Sequence, residues 1–176
     1  VTNETVAPTV TAFFSTNLVD QDIYVKSQDA INISATMSEM VRDGTSFVVQ
    51  LNTGDQITLS AVGDTTTLSG TYTVGESGYV PSLTVSSVVD LGTVKDLAGN
   101  PLPASLLESI PATNINSSFD IVVDNLAPSG GVVSLKTDTD PSSELNAGDV
   151  LTFTFVEDFY DKDSIEAIFE TNNLFG

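Results

Sequence analysis

The residues of this chain that could do chemistry are its carboxylates, and their company narrows that chemistry to binding hard cations. Twenty-four Asp and Glu stand against five Lys and Arg, with no His, Cys or Trp. Without imidazole or thiol there are no soft-metal sites and no disulfides, and the commonest general base is missing. Asp20 with Asp22, and Asp161 with Asp163, have the look of hydrolase acid pairs. Each pair lies in one turn-rich stretch without the aromatic platforms of a sugar cleft, so both read as solvated turns. Asp138-Thr139-Asp140 opens like a helix-flanked calcium loop, yet Ser143 and Asp149 stand where such a loop needs Gly and Glu. Ser and Thr are abundant, but Lys26, Lys95, Lys136 and Lys162 sit in no motif that would supply a base.

A formal net charge of −19 disfavours a nucleic-acid backbone, which is bound by displacing counterions with Lys and Arg. Divalent cations are the natural partners of such a chain. No apolar run reaches the length of a membrane span, and no basic-then-apolar leader is present. Acid, Thr and Ser with little Lys fit an extracellular, cell-surface protein whose Val1 is a processed start. The triplets at Asn3, Asn32 and Asn116 match the glycan-acceptor pattern, Asn3 and Asn116 in expected loops and Asn32 in an expected strand.

The elements that must position the acids are strands, because alternation at period two dominates. Expected inward residues are Val10, Ala12 and Phe14; Ile31, Ile33, Ala35 and Met37; Phe47, Val49 and Leu51; and Ile57, Leu59 and Ala61. Further along they are Leu68, Tyr72 and Val74, then Leu83 and Val85, then Phe119, Ile121 and Val123. Asp43-Gly44, Thr53-Gly54-Asp55, Val62-Gly63-Asp64 and Gly99-Asn100-Pro101 punctuate the runs as turns. About seven short strands imply an all-β, immunoglobulin-like β-sandwich over residues 1–126. Only Ala104 to Glu108 has the makings of a helical turn.

Landmarks also recur at one offset. Ala7-Pro8, Asp29, Asp43 and Asn52 reappear 120 residues later as Ala127-Pro128, Asp149, Asp163 and Asn172. A fixed period without gaps is the mark of tandem modules. Residues 127–176 then form the N-terminal part of a second immunoglobulin-like repeat, with strands at Val132 to Leu135, Val150 to Val156 and Ile165 to Thr171. Three strands leave that second sandwich incomplete, with an apolar edge at Ala167-Ile168-Phe169.

Three segments carry a family resemblance. Ala35-Thr36-Met37-Ser38-Glu39-Met40-Val41 is similar to an F-S-E-P-V strand end, Val94-Lys95-Asp96-Leu97-Ala98-Gly99-Asn100 to V-x-D-x-A-G-N, and Val123-Asp124-Asn125-Leu126-Ala127-Pro128 to V-D-x-x-A-P. In this order they resemble the bacterial and archaeal immunoglobulin-like repeats of S-layer proteins and adhesins. Met40 departs from the pattern by standing where the family has proline, and the insert from Leu102 to Ser117 is unusually long. The resemblance implies a structural repeat without catalysis, often stiffened by calcium at its joints.

Sandwich geometry adds that the loops after the second and sixth strands share a pole with the N-terminus, so Glu39, Asp96 and the Asn100 carbonyl are expected to converge there on calcium. Glu4 is expected to add an oxygen. At the joint the expected ligands are Asp124, Asn125 and Glu157 or Asp158, opposite Asp20, Asp22 and Asp55. The alternative is that these acids only keep the surface soluble, Asp96 capping its own loop and Asn100 serving a turn. The functional expectation is a spacer or lattice element with calcium ions and neighbouring repeats, or copies of the same protein, as partners. A filament subunit completed by a neighbour's strand is the first alternative. A carbohydrate-binding module of a secreted hydrolase is another, disfavoured by few exposed aromatics.

Overall fold

A computed structural model describes residues 4–76, 78–127, 131–138, 148–159 and 162–168; of residues 136, 155–159 and 162–168 it describes the backbone. The chain divides into two compact units, Val1–Asn125 and Leu126–Gly176.

Among its described residues, unit one is all-β apart from one 3-10 turn at Ala104–Leu107. Its strands are β1 (Val10–Ser15), β2 (Ile23–Val25), β3 (Ala30–Val41), β4 (Ser46–Leu51), β5 (Gln56–Ala61), β6 (Thr65–Thr73), β7 (Tyr79–Val80), β8 (Val85–Asp90) and β9 (Ile121–Asp124). Six of them form one sheet in the order β1-β3-β6-β5-β4-β8, and β2-β9-β7 form a second. A seven-stranded immunoglobulin-like sandwich would divide four strands from three. Here β5 hydrogen-bonds to both β4 and β6, so the large sheet runs on without that break.

Most inward positions fall where alternation puts them. Phe47, Val49 and Leu51 on β4 and Ile57, Leu59 and Ala61 on β5 are buried while their neighbours are not, the pattern of strands with one covered face. β1 departs from expectation: Val10, Phe13 and Ser15 are buried, and Ala12 and Phe14 are only partly so. The reason is a bulge. Val10 pairs with Met37 but Ala12 with Thr36, so one extra residue enters β1 and flips the alternation beyond it. Phe13 thereby becomes fully buried.

The insert after Asn100 closes the large sheet at both edges. Thr113 accepts the Phe13 N–H at 3.0 Å on the free side of β1. On β8, the Asn114 side chain accepts the Val85 N–H at 3.0 Å and donates to the Val85 carbonyl at 2.8 Å. Two consecutive residues thus satisfy backbone groups that an open edge would expose. Leu102, Leu106 and Ile115 of the same insert join the core.

Unit two contributes one described sheet in the order β10-β11-β12, from Val132–Thr137, Val150–Phe159 and Lys162–Ile168. All its pairings are antiparallel, as local hairpin-type connections favour. β12 begins at Lys162, before the expected Ile165. Phe169, Asn172, Asp161, Thr139 and Asp140, named in the sequence reading, lie outside the described residues, as does Asn3.

Candidate functional site

The loop between Val94 and Leu102 carries the acid most withdrawn from water in unit one. Asp96 is 1% exposed. It sits opposite Val41 in an antiparallel bridge, and Lys95 opposite Pro101 in another, so the loop folds back on itself. The Asp96 N–H reaches the Asn100 carbonyl at 3.0 Å, and the Gly99 N–H the Asp96 carbonyl at 3.2 Å. Gly99 has φ +104°, a conformation costly for any residue with a Cβ, although a Cβ there would meet only Arg42 Nη2, at an ordinary contact distance of 3.7 Å. Glycine is needed here for its backbone.

The Asp96 carboxylate is surrounded by nitrogen donors. Oδ1 accepts the N–H groups of Gly99 at 2.6 Å and Asn100 at 2.8 Å, and Oδ2 accepts Asn100 Nδ2 at 2.7 Å. Removal from water pushes this carboxyl upward, but the Asn100 side-chain amide and the N–H groups of Asn100, Gly99 and Ala98 outweigh that and hold it below its ordinary value. Arg42 grips the loop from outside, donating through Nε to the Asp96 carbonyl at 3.0 Å and through Nη2 to the Leu97 carbonyl at 2.9 Å.

Asn100 Nδ2 also faces the segment before β1, lying 3.2 Å from both the Glu4 and the Val6 carbonyl oxygens. The Glu4 side chain turns back onto its own segment, accepting the Val6 N–H at 2.8 Å. Sequence reasoning brought Asp96, Asn100 and the N-terminal segment to one pole, and there they meet. The donor set does not fit a calcium cage, however. The carboxylate is filled by N–H groups, the Asn100 carbonyl accepts the Asp96 N–H, and the group at the centre is itself a donor. Glu39 is half-buried, in a stretch of β3 where pairing with β6 lapses between Thr36 and Val41. Among the described residues, no group of three or more His, Cys, Asp or Glu is placed to hold a metal ion.

At the far end of unit one, Asn125 is also engaged. Its Oδ1 accepts the Ser27 N–H, its Nδ2 donates to the Gly75 carbonyl at 3.0 Å, and its backbone N–H donates to the Gly78 carbonyl at 2.9 Å. It ties the β2–β3 loop and the β6–β7 loop to the end of β9, which is a different use from the ligand role expected of it. Asp124 ends β9 opposite Tyr79. Asp22 accepts the Asp120 N–H at 2.6 Å, and Asp55 accepts the Tyr72 hydroxyl at 2.7 Å. Asp20 takes up a left-handed backbone with φ 65°. Glu157 and Asp158 lie within β11 rather than in a loop, beside the lapse in pairing between Thr154 and Phe159; their side chains are outside the described residues.

No family model, curated protein or solved structure matches this chain.

The sequence reading missed Arg42 and the direction of the Asn100 amide. An Asp followed by Gly three residues on and Asn four residues on was the available signal for a capped loop. It could not show that the same amide would meet carbonyls nearly a hundred positions earlier.

Proposed function

We propose that this chain is a non-catalytic structural segment of a secreted or cell-surface protein, built from immunoglobulin-like modules at a 120-residue period and acting through shape and stiffness. One observation carries the reading. Gln28 and Gly148 are both left-handed, with φ 75° and 93°. Each precedes an Asp, Asp29 or Asp149, and each Asp is followed by the first residue of a strand, Ala30 of β3 or Val150 of β11. A left-handed residue outside glycine is uncommon. The position 120 residues later is filled by Gly148, which takes that conformation freely. The same backbone conformation before the same residue type and the same kind of element supports two copies of one module.

Calcium belongs to this proposal as the partner of a chain with net charge −19, not of the Asp96 loop. A ligand that binds only the folded state raises the melting temperature by mass action, so melts in millimolar calcium and in chelator test it. Antibodies raised against the folded chain should decorate intact source cells. Labelling only after permeabilisation would overturn the surface assignment.

The second reading, a lattice or filament subunit, draws on β10. Val132 and Val133 are 67% and 55% exposed although they point to opposite faces of the strand. Both faces of an edge strand are therefore uncovered, a surface suited to a neighbouring copy. Concentration-dependent growth in sedimentation velocity would favour this reading, and a constant monomer would remove it.

A further inference from the structure

We infer that Asn100, oriented by buried Asp96, is a metal-free clasp that fixes the segment Glu4–Val6 against unit one, its side-chain amide taking the place a cation would hold. Three oxygens converge on Asn100 Nδ2: Asp96 Oδ2 at 2.7 Å, the Glu4 carbonyl at 3.2 Å and the Val6 carbonyl at 3.2 Å. Two backbone carbonyls and a carboxylate are the kind of oxygens that calcium takes, which is why the residue types invite a cation reading. The atom at their centre decides otherwise: it is a donor nitrogen, and its distances to the three oxygens are those of hydrogen bonds, about 2.7 to 3.2 Å. An amide nitrogen carries two N–H groups and no free acceptor, so it meets these three oxygens with its own partial positive charge, one N–H being shared between two of them. Turning the amide over would set its oxygen against three others, so chemistry fixes its orientation.

Asp96 is the positioning residue. Its Oδ1 is occupied by the N–H groups of Gly99 and Asn100, which leaves Oδ2 to aim the amide. Arg42, by tying down the Asp96 and Leu97 carbonyls, keeps that frame from shifting. The clasp is continued toward β1 by a reciprocal pair of hydrogen bonds, Ser38 N–H to the Thr9 carbonyl at 2.8 Å and Thr9 N–H to Ser38 Oγ at 3.0 Å. The segment before β1 is therefore held along its length by uncharged donors. Its rigidity is insensitive to calcium whether or not the chain is a repeat module.

The test is nuclear magnetic resonance of the full chain, in chelator and again with calcium chloride. The Asn100 side-chain protons should give two separate, slowly exchanging signals in chelator, and calcium should leave them unmoved. Fast exchange in chelator that becomes slow only with calcium would overturn the clasp, and this measurement on the unaltered protein needs no variant to fold. Asn100→Ala should speed amide exchange at Val6 and Thr9 equally with and without calcium; unchanged exchange at both would also overturn it. Asn100→Asp should loosen the same segment in chelator, because it places a carboxylate among three oxygens, and calcium should then restore part of the protection. A variant that holds the segment as tightly as Asn100 in chelator would sink the proposal.

Discussion

β3 of unit one and β11 of unit two begin alike and are completed differently. Both follow a left-handed residue and an Asp. β3 is flanked on one side by β1 and on the other by β6, whose Thr73 pairs with Ala30 across more than forty residues of intervening chain. β11 is flanked by β10 and by β12, the next strand in sequence, with Val150 opposite Ile168. The place that a distant strand takes in unit one is taken in unit two by a hairpin partner. Long-range pairing brings with it the intervening β4 and β5, and with them a buried core. The hairpin closes only a local ladder, and β10 keeps Val132, Val133 and Leu135 exposed. The same opening sequence pattern thus leads to an enclosed strand in one unit and, in the other, to a half-buried strand beside an exposed β10.

The largest effect that would break this contrast is in packing. Phe13→Ala, at a position with no exposure, should cost about 3 to 5 kcal/mol in denaturant unfolding. Leu135→Ala, at 46% exposure on β10, should stay within about 0.5 kcal/mol. Equal losses would mean that β10 is covered in solution. A smaller effect concerns what holds β6 in place. Tyr72 of β6 donates its hydroxyl to Asp55 at 2.7 Å, bridging to the loop between β4 and β5. Burial, opposed by the Thr53 hydrogen bond and reinforced by Asp55, raises its pKa, so it is the neutral donor at neutral pH. Tyr72→Phe should cost about 1.5 kcal/mol, the low end for a hydrogen bond to a charged group, and a neutral result would show that β6 is held by its ladder alone.

How far the sequence revealed these features depended on periodicity. From Ile31 through Ala61 every expected inward residue is buried, although on β3 Ser34 is buried as well, between Ile33 and Ala35. Alternation fails at β1 because a single inserted residue reverses facing without leaving any mark in composition. It also says nothing about Leu102, Leu106 and Ile115, which are buried by a segment whose work is to close two sheet edges. At the candidate site the residues were legible as a pole cluster, but not their chemistry. An Asn offers a donor and an acceptor on one side chain, and only the position of the Glu4 and Val6 carbonyls determines which is presented.

Acid should weaken the Asp96 loop. Its folded-state pKa is depressed, so its contribution is fully present above the unfolded carboxyl value near 4 and is lost as pH falls through the lower folded value. Asp96→Asn puts an amide donor against the Asn100 amide and lowers the melting temperature at neutral pH. The gap between wild type and variant should hold constant above about pH 4 and narrow below it. Taking the difference cancels the relief of repulsion that protonation brings to so acidic a chain. A gap that stays constant down to pH 2 would mean that Asp96 contributes no more folded than unfolded.

The smallest effect bears on the shared opening of β3 and β11. A left-handed backbone costs a residue with a Cβ about 1 kcal/mol relative to glycine, so the two units should respond in opposite directions to reciprocal changes. Gln28 is exposed, and its backbone N–H donates to the Val74 carbonyl at 3.0 Å, a contact that glycine keeps. Gln28→Gly should therefore relieve strain and stabilise unit one by about 0.5 kcal/mol, part of the gain being offset by the freer unfolded chain. Gly148→Ala imposes that strain on unit two and should destabilise β11 by about 1 kcal/mol, read as faster amide exchange from Val150 onward. Opposite signs would show that position 28 and position 148 do the same conformational work, which is what a repeated module requires. Destabilisation by both would mean that Gln28 is retained for its side chain, and the correspondence between the two strand openings would lose its physical basis.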